Sequence, residues 1–456
     1  MPDAYKGLDY LRRKLALKRS RILTRYRFYE MKNIMRDFDI STPPSLKYWQ
    51  SCLHWCARAV DALAMRLRFR EFRNDVFALN EIYSLNNRDV FFRSAILSAL
   101  IASCSFVYIS EDESGYPRLQ SLDGGSATGI LDPITNLLSE GYAVLDWGDC
   151  LDMPLSYGTA SYGAASHGTA FQGEGTAFQG VQSVFPRREA YFTREWTYII
   201  ENQRQSMVFR NKAPYALLVP VIFQPDAVRP FGHSRISRAC MELTDSALRT
   251  LKRAEISAEF YSFPQKYVLG TDPGAEFESA DESENAGNIS SLEKWGMAMS
   301  AMLRFDADEQ GNAPKVGQFT QQNMDPHVGM LRAIAGQFAM AADLTLDDMG
   351  FPTDNPSSAE AIKSAHENLR LTAMDAQSTF GTAFLNAGYL AACVRDNYRY
   401  SRQQLYLEKP VWEPVFTPDA SMLAGIGDAV GKINTAVPGY FGKNNLQDLT
   451  GISGEA

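Results

Sequence analysis

Apolar residues recur every three or four positions through three long stretches of the second half of the chain, a spacing that predicts three helices. The first follows Gly232, with Ser234 placed to cap it. Its stripe reads Ile236, Cys240, Leu243, Ala247, Leu251, Ala254, Ala258 and Tyr261. The second opens at Asp325-Pro326, a capping acid with proline at the first helical position, and runs through Val328, Leu331, Ala335, Phe338 and Ala342. Asp343-Leu-Thr-Leu-Asp-Asp-Met-Gly-Phe-Pro-Thr-Asp-Asn-Pro356 then holds two prolines and a glycine, which regular helix does not tolerate. A capping box, Ser357-Ser358-Ala359-Glu360, restarts a helix whose stripe is Ala359, Ile362, Ala365, Leu369, Ala373, Ala376, Phe380, Ala383 and Ala387.

The first half mixes both periods. Residues 5–38 read as one or two helices, with Leu8, Leu11, Leu15 and Ile22 near one face and basic residues around it. The prolines at 43 and 44 break the pattern, and Ser45 caps a helix through Trp49, Leu53, Cys56, Val60 and Leu63. Arg66 to Arg70 alternates as a strand does, and a further helix covers 88–102. Phe106 to Ile109 and Tyr116 to Leu122 bracket a polar turn as a hairpin, and a mixed stretch holds Ile134 to Glu140 and Tyr142 to Trp147. Residues 156–183, where Gly-Thr-Ala-Phe-Gln-Gly occurs twice, read as a flexible or edge-hairpin insertion. Strands follow at Glu189 to Phe192, Trp196 to Glu201 and Leu217 to Phe223. Between the first two long helices, residues 263–324 hold short strands at Lys266 to Leu269, Met302 to Phe305 and Val316 to Phe319, with a short helix near 290–300. After the third, 408–417 is extended, 419–435 is a small-residue helix and 446–452 adds a last turn.

At 456 residues the chain calls for two or three modules. No apolar run is long enough to span a membrane, and the N-terminus lacks the apolar core of a signal peptide. The six cysteines are scattered, as small buried thiols in a reducing compartment would be. The net charge of -8 conceals an asymmetry, because residues 1–73 carry 17 Lys/Arg against 7 Asp/Glu. A basic segment on an acidic body suits nucleic-acid contact through Arg12, Arg13, Lys18 and Arg19, or docking on an acidic partner. It equally suits a helix pair whose solvated face is basic.

Enzymatic chemistry finds little support. Cys52 and Cys56 share a helical face but His54 points away, and no second ligand pair follows. There is no HExxH, Walker A, nucleophile elbow or dinucleotide fingerprint. Asp347-Asp348 and Glu111/Glu113 are carboxylate pairs that metal-assisted hydrolysis could use, but neither pair has a positioned Lys, His or third acid nearby. The chain reads as a non-enzyme with no cofactor or metal.

Four stretches carry a family resemblance. Tyr29 to Asn33, Pro43 to Gln50 and Trp55 to Phe69 resemble the start of SPP1-type portal proteins of tailed bacteriophages. Gly232-His-Ser-Arg-Ile236 is similar to the opening of their stem. Pro352 with Asn355 to Ile362 resembles their tunnel loop and the start of the tunnel helix, and Trp412-Glu-Pro with Leu446 to Ile452 resembles the end of their core. The resemblance implies an α+β portal fold, mainly helical, with a mixed α/β wing, a helical stem, a small β-containing clip and a long tunnel helix. It places the wing at 1–231, the stem at 232–262 and 325–342, and the clip at 263–324. The tunnel loop falls at 343–357, the tunnel helix at 358–400 and a C-terminal wing or short crown at 401–456.

The function it implies is a ring of roughly twelve copies at one capsid vertex through which double-stranded DNA is packaged and ejected. The partners it implies are the terminase large subunit, the major capsid protein with scaffold, and a head-completion or adaptor protein, with no membrane. The location would be the virion, and the host cytoplasm during assembly. DNA would face Asp343, Thr345, Asp347, Asp348, Met349, Phe351, Thr353, Asp354 and Asn355, and the acids there would favour sliding over gripping. The same aspartates could simply cap helices and turns. The acidic run Asp272, Glu276, Glu278, Asp281, Glu282 and Glu284 would meet the motor or adaptor. The rivals are another oligomeric connector or minor capsid protein, a monomeric helical adaptor, or a nuclease built on Asp347 and Asp348.

Overall fold

The computed structural model describes residues 5–33, 51–148, 185–262, 266–269, 315–318, 323–351, 359–405, 407–416, 418 and 420–452. The break at 43–44, the repeat-bearing stretch 156–183, the expected helix near 290–300 and the expected strand at 302–305 lie outside them. The fold is mixed α+β, and the chain divides into two compact units.

The first unit comprises Met1–Ile34, Leu53–Glu242 and Phe338–Ala456. Its elements begin with helix α1 (Leu8–Tyr29), α2 (Trp55–Ala64), strand β1 (Phe69–Arg73), α3 (Leu79–Leu85) and α4 (Arg88–Ala102). Strands β2 (Cys104–Glu111), β3 (Pro117–Leu122) and β9 (Leu218–Ile222) form one antiparallel sheet in the order β3-β2-β9. Strands β4 (Ala127–Leu131), β5 (Leu138–Gly148), β6 (Phe185–Phe192), β7 (Trp196–Glu201) and β8 (Arg204–Arg210) form a second, in sequence order.

The two sheets face each other across a core of Phe106, Leu122, Leu218 and Ile222 on one side and Leu138, Ala143, Ala190, Phe192 and Ile199 on the other. The far face of the five-stranded sheet takes α1, whose Leu11 and Leu15 meet Tyr142 and Val144. The three-stranded sheet is buried on both faces at β2, where Cys104 and Phe106 alternate with Ser105 and Val107. Ser105 Oγ donates to the Ala95 carbonyl at 2.7 Å, which holds α4 on that second face. Gly232 lies where the chain leaves β9: its φ is +72°, and a Cβ there would stand 2.0 Å from the Phe223 carbonyl oxygen, so only glycine fits.

The C-terminal part of this unit begins in α6 (Asp325–Ala341) and passes through a 3-10 turn (Asp347–Met349) to α7 (Ala359–Ala365) and α8 (Glu367–Arg395). Strand β12 (Lys409–Trp412) then pairs antiparallel with β1, from Phe69 opposite Trp412 to Arg73 opposite Lys409. An aromatic cluster of Phe69, Phe72, Tyr83, Phe92, Phe384 and Trp412 fastens this ribbon to α3, α4 and α8. Leu369, Ala373, Ala376, Phe380, Ala383 and Ala387 are buried as their spacing predicts, but Ile362 and Ala365, earlier on the same stripe, are exposed. Helices α9 (Ala420–Ala436) and α10 (Lys443–Thr450) follow, with no buried residue in either.

The second unit comprises Met35–Cys52 and Leu243–Gln337. It holds most of α5 (Arg238–Ser262), the antiparallel pair β10 (Lys266–Leu269) and β11 (Lys315–Gln318), and α6 as far as Gln337. Ala247, Leu248 and Ile256 are buried along α5, and Ile334 and Ala335 along α6, whereas the predicted Val328 and Ala258 are exposed.

Several expectations need correction. Helix α5 starts at Arg238, because Ser234 Oγ is spent on the Leu100 and Ile101 carbonyls while Ser237 Oγ accepts the capping bond from the Cys240 N–H. Residues 51–54 are not helical, so α2 starts at Trp55 rather than continuing from Ser45. Strand β1 lies three residues beyond the expected one, where β12 pairs with it. Strand β8 was not predicted at all: Arg-Gln-Ser-Met-Val-Phe-Arg lacks the alternation that marks a half-buried strand, and all seven residues are exposed.

Candidate functional site

The turn after α6 is built around two aspartates that the fold turns inward. Asp343 has φ +48° and marks the point where the α6 path ends. Arg235, its guanidinium buried, donates to Asp343 Oδ2 at 2.8 Å, to the Ala342 carbonyl, and to the Ala59 carbonyl at 3.3 Å. Thr372 Oγ1 adds a bond to the same carboxylate at 3.2 Å. One guanidinium therefore ties the approach to α5, the end of α6 and α2 together, and Asp343 extends the tie to α8.

Asp348 is the second hub. Its Oδ2 accepts from Thr345 Oγ1 at 2.9 Å and from the Thr345 N–H at 3.2 Å, while Thr345 Oγ1 accepts from the Asp348 N–H in return. Arg58 on α2 pairs with Oδ1 at 2.9 Å, and His366, at the junction of α7 and α8, places Nε2 3.1 Å from Oδ2. Burial pushes the Asp348 carboxyl up, but the bonds from Thr345 and Arg58 and the nearby His366 ring outweigh it and hold it below the ordinary carboxylate value.

Of the residues expected to face DNA, Asp343, Thr345 and Asp348 are thus engaged inside the first unit, Met349 is buried and Phe351 is half-buried. Asp347 is exposed, and Thr353, Asp354 and Asn355 lie outside the described residues. Asp343 and Asp348 act as turn and bridge residues. The same bonds weaken the nuclease rival, because Asp348 already has Arg58, Thr345 and His366 around it. Among the described residues no group of three or more His, Cys, Asp or Glu is placed to hold a metal ion, and no helix is long and apolar enough to cross a membrane. The acidic run from Asp272 to Glu284 lies outside the described residues.

The basic face of α1 is the larger surprise. Arg12 pairs with Glu189, which is buried on β6 and also accepts from the Tyr142 hydroxyl. Lys14 Nζ donates to the Gly129 carbonyl at 2.6 Å and sits 4.9 Å from the Phe231 ring. Lys18 Nζ is buried without a hydrogen-bond partner among the described residues, 5.0 Å from the centroid of Phe106, and Arg19 stacks 3.5 Å over Trp147. Burial lowers Lys14 to about 8 and lowers Lys18 as well. Of the four cations expected to reach nucleic acid or an acidic partner, Arg13 is the exposed one; Arg12 and Arg19 fasten α1 to the sheets, and the Lys18 ammonium is buried beneath it.

No family model matches this chain. The portal protein of Mycobacterium phage L5 is 28% identical over 209 residues, 45% of this chain and 40% of that protein. The portal protein of Mycobacterium phage D29 is 28% identical over 203 residues, 44% of this chain and 39% of that protein. The chain is similar to phage portal proteins. The matched region spans about two fifths of the length of these curated relatives. Among solved structures, a chain from the virion of a native gene transfer agent particle aligns with TM-score 0.43 and 13% identity, over 95% of this chain and 99% of that one. A chain from the neck of the native particle, computed with C12 symmetry, aligns with TM-score 0.42 and 12% identity over the same shares.

Sequence reasoning found the turn and its aspartates but missed Arg58, Arg235 and His366, the groups that neutralise or hold them. One signal was present: Arg235 stands between Ser234 and Ile236 just ahead of an apolar stripe, a position where a long cation is buried only with a partner.

Proposed function

We propose that this chain is a portal subunit of the SPP1 type. Roughly twelve copies would close into a ring at one capsid vertex and form the channel through which double-stranded DNA is packaged and ejected. The observation that carries this reading is the similarity to two phage portal proteins over nearly half of the chain. The order of elements supports it: α5, the β10–β11 pair, α6, a tight turn, then α7 and the long α8 follow the sequence of stem, clip, stem, tunnel loop and tunnel helix.

The exposed apolar surface supports self-assembly. Val328, Met330 and Met340 are exposed on α6, and α9 carries Met422, Leu423, Ile426, Val430 and Ile433 with a single acid and a single lysine. A lone subunit leaves that surface in water, and neighbouring copies would remove it. In this reading Asp347 is the described acid turned toward the channel. The acidic run at 272–284 serves the terminase large subunit or a head-completion protein, and the wing meets the capsid protein in the virion after assembly in the host cytoplasm.

The test is the native mass of the purified chain with negative-stain images. A closed ring of about twelve 50.9 kDa subunits with a central hole is the expected result. A stable dimer or trimer without a hole would reject the channel assignment in favour of another connector or minor capsid component.

A further inference from the structure

The five-stranded sheet ends on a strand that the described residues cover on neither face. Residues directly opposite in an antiparallel pair share a face, so Met207 lies on the side of Ile199 and Phe209 on the side of Thr197. Ile199 is 1% exposed, within the core between the sheets, and Thr197 is 3% exposed. One strand further out, Met207 is 48% and Phe209 49% exposed, so the covering sheet does not reach β8. On the other face Val208, opposite Tyr198, is 41% exposed, beyond the reach of α1.

The outer edge of β8 pairs with no strand among the described residues. Two other edge strands, β4 and β3, are engaged by side chains. Lys14 Nζ takes the Gly129 carbonyl on β4. Asn86 caps β3, donating to the Pro117 carbonyl and accepting from the Leu119 N–H. An open edge with three consecutive large apolar residues at its centre is a template for another strand.

Charge decides what kind of strand. Arg204 and Arg210 stand at the two ends of β8, neither side chain in a hydrogen bond or ion pair among the described residues, and the strand carries no acid. A second copy pairing antiparallel through β8 would set Arg204 against Arg210 at both ends, and parallel pairing would set each arginine against itself. Like charges opposite each other destabilise a pair. We propose that β8 is a docking edge for an extended segment of a different protein, one with apolar alternate residues and a carboxylate at each end. The inference stands on the sheet geometry and does not depend on the portal reading.

The probe is a fluorescent peptide, Glu-Ile-Thr-Val-Thr-Ile-Glu, titrated onto the full chain by anisotropy, with the same peptide carrying Lys at both ends as control. The acid-ended peptide is expected to bind about tenfold more tightly than the control, from two end pairs gained against two repulsions. Its addition should slow amide exchange across 204–210. The doubly substituted Arg204→Glu, Arg210→Glu chain should invert the order of the two peptides, and since both arginines are exposed and unbonded its fold should be unchanged. Equal binding of the two peptides by the wild type, or no protection of 204–210, would overturn the proposal and leave the arginines as guards of a bare edge. Protection of 204–210 without peptide that disappears on dilution would also overturn it, by showing a second copy on this edge.

Discussion

Replacing Arg235 by methionine removes a single charge from the first unit and leaves three acceptors behind. The Asp343 carboxylate, at 31% exposure, loses its cation and keeps the Thr372 hydroxyl bond; the Ala342 and Ala59 carbonyls lose their donor. Breaking a buried pair on one side costs about 3–5 kcal/mol, because the remaining group stays desolvated without compensation. Partial exposure of Asp343 puts the expectation at the lower end, about 3 kcal/mol. With a urea slope of about 3 kcal/mol per molar, the unfolding midpoint should fall by about 1 M. Trp55, whose ring centroid is 5.4 Å from that of Phe338 at the end of α6, reports on the region by fluorescence. Arg235→Lys should recover little, since an ammonium cannot reach the same three acceptors in a fork. Removing both charges, Arg235→Met with Asp343→Asn, should cost clearly less than the sum of the single changes. A single-variant shift below about 0.3 M, or additive losses in the double variant, would refute the idea that this guanidinium holds the turn.

Two further predictions concern pH. Burial raises Glu408 to about 7, with Asp75 adding to the rise and the Phe77 N–H opposing it, while its Oε2 has no hydrogen-bond partner among the described residues. The folded value lies above the unfolded one, so this stabilisation is complete at low pH and is lost as pH rises through 7. Glu408→Gln should therefore match the wild type near pH 5 and exceed it near pH 8, by on the order of 1–2 kcal/mol after allowing for the exposed Asn74 and Val76 beside it. Thermal melts at the two pH values check this, and a constant difference between them would reject it. Lys14 and Lys18 are the opposite case: burial depresses both, Lys14 to about 8, so each costs stability while protonated and the cost fades as pH rises above its own folded value. Lys18→Met should raise the melting temperature at pH 6.5, and less so at pH 9.5; a loss at pH 6.5 would mean that the cation–π contact with Phe106 outweighs desolvation.

Much of the fold was written in local pattern. Helix α4 and strand β7 fall where their periodicity placed them, and Leu369 to Ala387 are buried in the order in which the spacing set them. These elements are covered on an apolar face by something apolar, and periodicity reports that need directly. Asp343 to Gly350 was legible as a turn from its breakers and acids, because φ, ψ preferences act within a few residues.

What the pattern left open was decided by groups far apart in the chain. A basic stripe such as Arg12, Lys14, Lys18 and Arg19 has one appearance whether it meets water or a sheet. It points inward here because Glu189, the Gly129 carbonyl, Phe106 and Trp147 stand opposite. Asp343 and Asp348 likewise look like free acids until Arg235, Arg58 and His366 arrive from other elements. Strand β8 escaped notice because the signal sought was half-burial, and all seven of its residues are exposed. Sequence by itself determined where the chain bends and which stripes seek cover. The tertiary structure decided which charges are spent inside and which edge stays open, because desolvation and ion pairing depend on the neighbour across the gap rather than the neighbour along the chain.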